Sequence, residues 1–213
     1  MRRRRRRFGR GFALGFLVAF LAAATAVTTR PVLRLFFPIR YPGYIVQSAQ
    51  AYRLDPHMVA AVIRVESAFN PLARSERGAT GLMQLMPETA AWIASRRGHD
   101  LGSAARRPAK GGEPSTLEEA LREPAVNIDY GCWYLRALRD QFQGDWVLTL
   151  AAYNSGRGRV ATWLQQKEWS GRRDEIDQIP YAETRAYVRR VLSTWEWYKR
   201  LYPEFPSGSR PSS

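Results

Sequence analysis

Apolar positions recur along most of this chain with the period of an α-helix. No run alternates with the period of a strand between hairpin turns. Tyr44, Ile45, Ala49 and Tyr52 mark one face of a short helix over 41–53. A second helix is predicted from Pro56 to Ala68. Asp55 followed by Pro56 is a start signal, because the Asp oxygen accepts an otherwise orphaned N–H and proline has none to lose. Val59, Val62, Ile63 and Glu66 fall at i, i+3, i+4 and i+7, so Glu66 lies on the apolar stripe of this helix. Asn70-Pro71 marks its end, since a residue before proline avoids the helical region.

A glycine-containing loop over 72–81 follows, then the apolar run Leu82 to Met86 and a helix over 87–95 that opens on Pro87. Residues 99–115 are polar and rich in Gly, Pro and Ala, and read as an exposed loop. One or two helical turns fit 116–122. A long amphipathic helix spans 124–142, with Val126, Ile128, Trp133, Leu135 and Leu138 on its apolar face. The segment 146–153 is nearly all apolar and is expected to be buried on all sides. A helix over 159–166, a charged connector over 169–178 and a long helix over 181–201 complete the pattern. The last helix carries Tyr187, Val188, Val191, Leu192 and Trp195 on one face. Residues 204–213 read as a disordered tail. The class is all-α.

The N-terminus has a different pattern. Arg2 to Arg7 and Arg10 form a basic block over 1–10, followed by an uncharged apolar stretch within 11–28. This reads as a signal-anchor helix with its arginines on the cytoplasmic side, which puts the rest of the chain outside the cytoplasmic membrane. Residues 29–39 read as a juxtamembrane linker lying at the headgroups. Ala24-Thr25-Ala26 resembles a cleavage site, so a cleaved and secreted form is the alternative.

Composition refines this picture. The net charge is +14, and about half of it comes from the N-terminal arginines. The remainder fits an anionic cell envelope. No recognition-helix, zinc-finger or single-strand-binding pattern supports nucleic acid. Cys132, the sole cysteine, sits among apolar residues and reads as a small buried filler. His57, His99 and one cysteine cannot build an ordinary zinc site, so no metal and no cofactor are expected.

The candidate chemistry starts with Glu66. A carboxyl on an apolar stripe is partly desolvated, which raises its pKa and suits it to general acid work. Its ordinary reading is a solvated helix-end residue. Tyr153 and Asn154 end a buried helix and either face a cleft or serve as a core tyrosine and a C-cap. Gln84 lies inside an apolar run between Met83 and Met86 and needs a partner or a ligand. Glu183 stands in a helical first turn, where the dipole favours it. Arg157 and Arg159 read as surface residues, and Glu76 as a solvated one.

Together these segments resemble a family. The stretches ESAFNP at 66–71, GLMQLMP at 81–87, AAYNSG followed by Val160 at 151–160 and IPYAETRAYV at 179–188 are similar, in order and spacing, to lytic transglycosylases of the soluble-lytic-transglycosylase type. The resemblance covers about residues 40–203. It implies a lysozyme-like helical domain that cleaves the β-1,4 bond between N-acetylmuramic acid and N-acetylglucosamine in peptidoglycan and leaves a 1,6-anhydro sugar. It implies Glu66 as the only catalytic acid, with Ser75, Gln84, Met86, Tyr153 and Glu183 contacting the sugars and Asn154 orienting them. Ser155 replaces a usual Ala, Tyr181 a usual Phe, and Glu76 a common Pro. A hydrolytic muramidase on the same fold and a non-catalytic wall-binding membrane protein are the alternatives.

Overall fold

The computed structural model describes residues 30–98 and 117–205. They fall into two units, one ending at Pro38 and one beginning at Ile39. In the first, residues 30–36 are helical and expose Val32, Leu35 and Phe36. The basic block and the apolar segment 11–28 lie outside the described residues, as does the loop expected at 99–115. Among the described residues no helix is long and apolar enough to cross a membrane.

The second unit contains α1 (Pro42–Ala51), α2 (Pro56–Ser67), α3 (Pro87–Arg97), α4 (Leu117–Ala120), α5 (Pro124–Gln141), α6 (Trp146–Ser155), α7 (Arg157–Gln165), a 3-10 segment (Arg173–Gln178) and α8 (Ala182–Leu201). Isolated β-bridges join Arg74 to Thr80 and Thr80 to Leu85, and the described residues include no strand.

Helix α2 is the axis of this unit. The sequence predicts one apolar stripe, but Pro56 through Ile63 are all buried. Alanines at 60 and 61 let neighbouring helices approach the side that the stripe leaves out. α2 packs most extensively against α8, which also packs against α6. Only the last turn of α2, Arg64 to Ser67, is partly exposed, and Glu66 stands there.

The helix stops earlier than Pro71 suggests. Ala68 and Phe69 both adopt left-handed backbone, at φ 50° and 64°. Each such residue costs about 1 kcal/mol or more. The fully buried Phe69 ring offsets that cost by about 2 kcal/mol.

The other end of α2 is fixed by charge. Asp55 Oδ1 accepts from the His57 backbone N–H at 2.9 Å and lies 3.0 Å from His57 Nδ1. Its Oδ2 accepts from Trp195 Nε1 at 2.8 Å, which ties α2 to α8. The buried His57 places Nε2 2.9 Å from the carbonyl of Tyr202. Both ring nitrogens therefore face acceptors, the arrangement of a protonated imidazole. Burial alone lowers the His57 pKa, but these partners outweigh it and hold it above the usual histidine value. Burial likewise works to raise the Asp55 carboxyl, and its donors hold it below the usual range.

Two expectations need correction. Phe205 is not frayed: its ring stands edge-on to His57 at 5.5 Å and covers it. The charged connector over 169–178 needs no correction: it holds the 3-10 segment, and Trp169 within it is buried with its Nε1 donating to the Glu175 carbonyl at 3.0 Å. On α5 the buried face includes Asn127, Tyr130 and Gly131, while Val126 and Trp133 are only partly covered.

Two stability effects are expected. Asp55→Asn keeps a capping oxygen but removes the charge that faces His57, and should cost about 1–3 kcal/mol near pH 5.5. Asp55, with its lowered pKa, contributes above its ordinary titration range, and that contribution is lost as acid protonates it. His57, with its raised pKa, contributes below its ordinary value, and that contribution is lost as pH rises through the folded value. The penalty should therefore shrink at about pH 9, and urea unfolding that gives equal penalties at both pH values would rule out the charged pair. Asn127→Ala should cost about 2–4 kcal/mol by the same measurement, because it strips three bonds from buried backbone groups.

Candidate active-site cleft

One cleft of about 630 Å³ is lined by the end of α2, the 75–86 loop, the starts of α3, α7 and α8, the end of α6 and one residue of α5. All seven residues singled out in the sequence line it: Glu66, Ser75, Gln84, Met86, Tyr153, Asn154 and Glu183.

The loop that forms one wall is held by its own backbone and by side chains from neighbouring helices, chief among them the buried Asn127. Ser75 N–H donates to the Ala79 carbonyl at 2.9 Å, and Ala79 N–H donates to Ser75 Oγ at 3.0 Å. Asn127 Oδ1 accepts from Met83 N–H at 2.7 Å. Asn127 Nδ2 donates to the carbonyls of Thr80, at 3.0 Å, and Leu121, at 2.7 Å. Gly81, at φ 84°, lies so close that an added Cβ would stand 2.2 Å from both Asn127 Nδ2 and the Leu121 carbonyl. Only glycine fits both this backbone and this contact. Ser67 Oγ donates to the Leu82 carbonyl at 2.8 Å and joins the loop to α2 one residue from Glu66.

Gln84 finds partners rather than waiting for them. At φ 47°, it turns its Nε2 onto the carbonyls of Gly81, at 2.9 Å, and Ala73, at 3.1 Å. These bonds leave its Oε1 as an acceptor at the cleft. Tyr153 is a pillar: its hydroxyl donates to the Met83 carbonyl at 2.8 Å and its ring leans on Tyr134 at 5.5 Å. Asn154 is not a C-cap, a role taken by Gly156. It sits inside α6, where its Oδ1 accepts from Thr184 Oγ1 at 2.8 Å, so α6 and α8 are joined at the cleft. That bond uses the acceptor and leaves the Asn154 amide hydrogens.

Burial is the main influence on Glu66 and pushes its carboxyl up to about 7. The Tyr187 hydroxyl and the Arg190 charge oppose this shift, and the Glu183 charge adds to it. Tyr187 is itself buried beside Glu66, yet its hydroxyl makes no aligned hydrogen bond among the described residues. It is therefore a donor held ready for an ionised Glu66. The sequence counted Tyr187 as part of an apolar face, and its position on that face gave no sign of this second role.

Other lining residues also escape a sequence reading. Arg159 is exposed, as its surface reading expects, and also lines the cleft, where its guanidinium lies 4.8 Å from the Tyr181 ring and donates to the Ser155 carbonyl. Glu76 and Arg77 are exposed at the rim, and Thr89 and Tyr134 also line the cleft. Cys132 is buried within α5, and burial pushes its thiol pKa well up, which suits an inert filler.

Known proteins share this architecture. The lytic transglycosylase Slt of Pseudomonas aeruginosa, solved as an inactive mutant, superposes with a TM-score of 0.66 at 36% identity, over 82% of this chain and 26% of that one. The 70-kDa soluble lytic transglycosylase of Escherichia coli gives 0.65 at 31% identity, over 78% and 25%. In sequence, the soluble lytic murein transglycosylase of Salmonella typhimurium is 34% identical over 168 residues, 78% of this chain and 24% of that protein. A membrane-bound lytic murein transglycosylase C of Actinobacillus pleuropneumoniae is 33% identical over 186 residues, 76% of this chain and 46% of that protein. The chain thus spans about a quarter of the soluble relatives and under half of the membrane-bound one. The family model for the transglycosylase SLT domain matches residues 43–176. With a lysozyme-like helical fold, this match and these relatives, the chain belongs to the transglycosylase SLT family.

Proposed function

We propose that this chain is a peptidoglycan lytic transglycosylase that cleaves the bond between N-acetylmuramic acid and N-acetylglucosamine with Glu66 as its only acid and base. The observation that carries the reading is the state of Glu66, a carboxyl at the cleft wall that desolvation keeps protonated up to about pH 7. Such a group can give its proton to the glycosidic oxygen as that bond breaks. The resulting carboxylate takes the proton of the muramic C6 hydroxyl. The C6 oxygen attacks the anomeric carbon and closes the 1,6-anhydro ring. Glu66 ends protonated as it began, and no water is consumed. Because the nucleophile belongs to the substrate, a second catalytic carboxylate is unnecessary.

The neighbouring groups fit the two protonation states in turn. Desolvation and the Glu183 charge favour the acid, while Tyr187 and Arg190 limit the cost of the carboxylate once it forms. The sugar-facing atoms in this reading are Gln84 Oε1, the Met86 thioether and the Asn154 amide hydrogens, with Ser75 and Glu183 at the rim. Tyr153 shapes the wall with its ring, since its hydroxyl is already engaged. No metal or cofactor is needed. The domain works outside the cytoplasmic membrane, anchored through residues 11–28. Support for the anchor comes from the arginine block before that stretch and from the membrane-bound relatives.

Hydrolysis is the second reading and rests on Glu183. It lines the same cleft and its charge reaches Glu66, so it is placed as a candidate base for water. Mass spectrometry of digested sacculi separates the two. Products one water lighter than hydrolysis products are expected, whereas reducing ends alone would establish hydrolysis. Glu66→Gln should lower lysis by at least about 100-fold. Retained lysis would remove Glu66 from the mechanism, and sacculus binding without lysis by the wild type would favour a wall-binding protein.

The pH dependence has a definite sign. A general acid must be protonated, so kcat/KM should fall about tenfold per pH unit above about pH 7. Tyr187→Phe removes a group that favours the carboxylate, and should move this limb upward; a downward move would reject Tyr187 as its donor. Stability follows the same proton. The folded pKa lies above the ordinary 4.5, so the stability that protonated Glu66 confers is present below about pH 4.5 and is lost as pH rises through about 7. The gap corresponds to at most about 3 kcal/mol. Glu66→Gln should therefore raise the melting temperature at about pH 8.5 and change it little at about pH 4.5.

A further inference from the structure

A second depression, of about 500 Å³, lies between α2 and α8 and is lined by Arg64, Val65, Arg189, Arg190, Ser193 and Thr194. Three guanidinium groups and two hydroxyls surround it, and no carboxylate lines it among the described residues. Arg189 pairs with Asp177 away from the lining. Arg190 is exposed and makes no ion pair or side-chain hydrogen bond among the described residues. Arg190 thus brings an unpaired positive charge to an open groove, and a bound anion would offset it. Guanidinium forks and hydroxyl donors suit the tetrahedral oxygens of a phosphoryl group. Three forks and two hydroxyls offer more donors than a single carboxylate can use.

We infer that this groove is a binding site for a phosphoryl oxyanion and that its occupation is felt at Glu66 through Arg190. Val65 precedes Glu66 on α2, and Arg190 follows Tyr187 by three positions on α8, so the groove and the cleft share both helices. The groups that face Glu66 are Tyr187, Glu183 and Arg190 on α8 and Tyr153 on α6. Of these, Arg190 alone carries positive charge. Its field favours the ionised form of Glu66. An anion held on Arg190 offsets that field and returns Glu66 toward its acid form. The inference does not rest on the proposed reaction, because its readouts are binding and the titration of one carboxyl.

The test uses the full chain. Inorganic phosphate is titrated by calorimetry into wild type and into the double variant Arg189→Gln/Ser193→Glu, with circular dichroism to show that both are folded. Saturable binding by wild type, weakened at least tenfold in the variant, is expected. No saturable binding, or equal binding by both, overturns the site. Phosphatidylcholine vesicles with and without phosphatidylglycerol identify the source of the phosphoryl group, since both proteins carry the same N-terminal arginines. If wild type outbinds the variant at least threefold on the anionic vesicles, the groove takes a lipid headgroup. If the two bind the vesicles equally while free phosphate discriminates between them, the groove takes a small phosphate. For the link to Glu66, carboxyl-labelled protein is titrated by NMR. Saturating phosphate should move the Glu66 midpoint upward in wild type and leave it in place in Arg190→Gln. A midpoint that phosphate does not move in wild type overturns the coupling.

Discussion

Burial of α2 on every side is the constraint on which the rest of this domain depends. A helix whose residues from Pro56 to Ile63 are all covered cannot slide or rotate without losing contacts in several directions at once. Its start is pinned by Asp55, which serves as cap, counter-ion to His57 and acceptor for Trp195 of α8. Its end is the first place where solvent reaches it. Glu66 therefore stands at a fixed boundary between a dry core and an open cleft. Its raised pKa is a consequence of where the core stops.

The opposite wall is built differently. Between Ala68 and Met86 the chain has almost no repeating structure, yet it is tied down by Asn127, Ser67 and Tyr153. Several of its residues hold unusual backbone, among them Ala68, Phe69 and Gln84. A loop of this kind is stable only because buried side chains satisfy its polar groups one by one. α5 and α6 thus act on the cleft mainly as props. Their own apolar faces fix the position of Asn127 and Tyr153, and those two side chains fix the loop.

Much of this was legible in the sequence, and the gaps have physical causes. Helix positions followed from periodicity, and Glu66 was conspicuous because a carboxylate interrupts an apolar stripe. Asn127 and Tyr187 were not conspicuous. A buried amide that bonds three distant backbone groups looks like any other polar residue on a helix, because its partners are set by tertiary packing. A buried tyrosine next to a carboxylate looks like core. Val126 and Trp133 were overrated for the opposite reason: their hydrophobicity is real, but the deeper face of α5 is reserved for Asn127 and for Gly131, which makes room for Met83. Arg159 was read from composition alone, and composition cannot tell a cleft rim from open surface.

The direction of α2 has one more consequence. Glu66 is the penultimate residue of this helix, so it sits at the end where backbone carbonyls accumulate partial negative charge. That end disfavours an added negative charge and favours a nearby positive one. In the proposed reaction, positive charge grows on the anomeric carbon and ring oxygen as the glycosidic bond lengthens. The helix end is then suited to both moments of the cycle, holding the proton on the carboxyl before cleavage and attracting the oxocarbenium character that develops during it. A reversed helix carrying the same glutamate at its N-terminus would oppose both, so in the proposed reaction the polarity of the central helix works with the glutamate it carries.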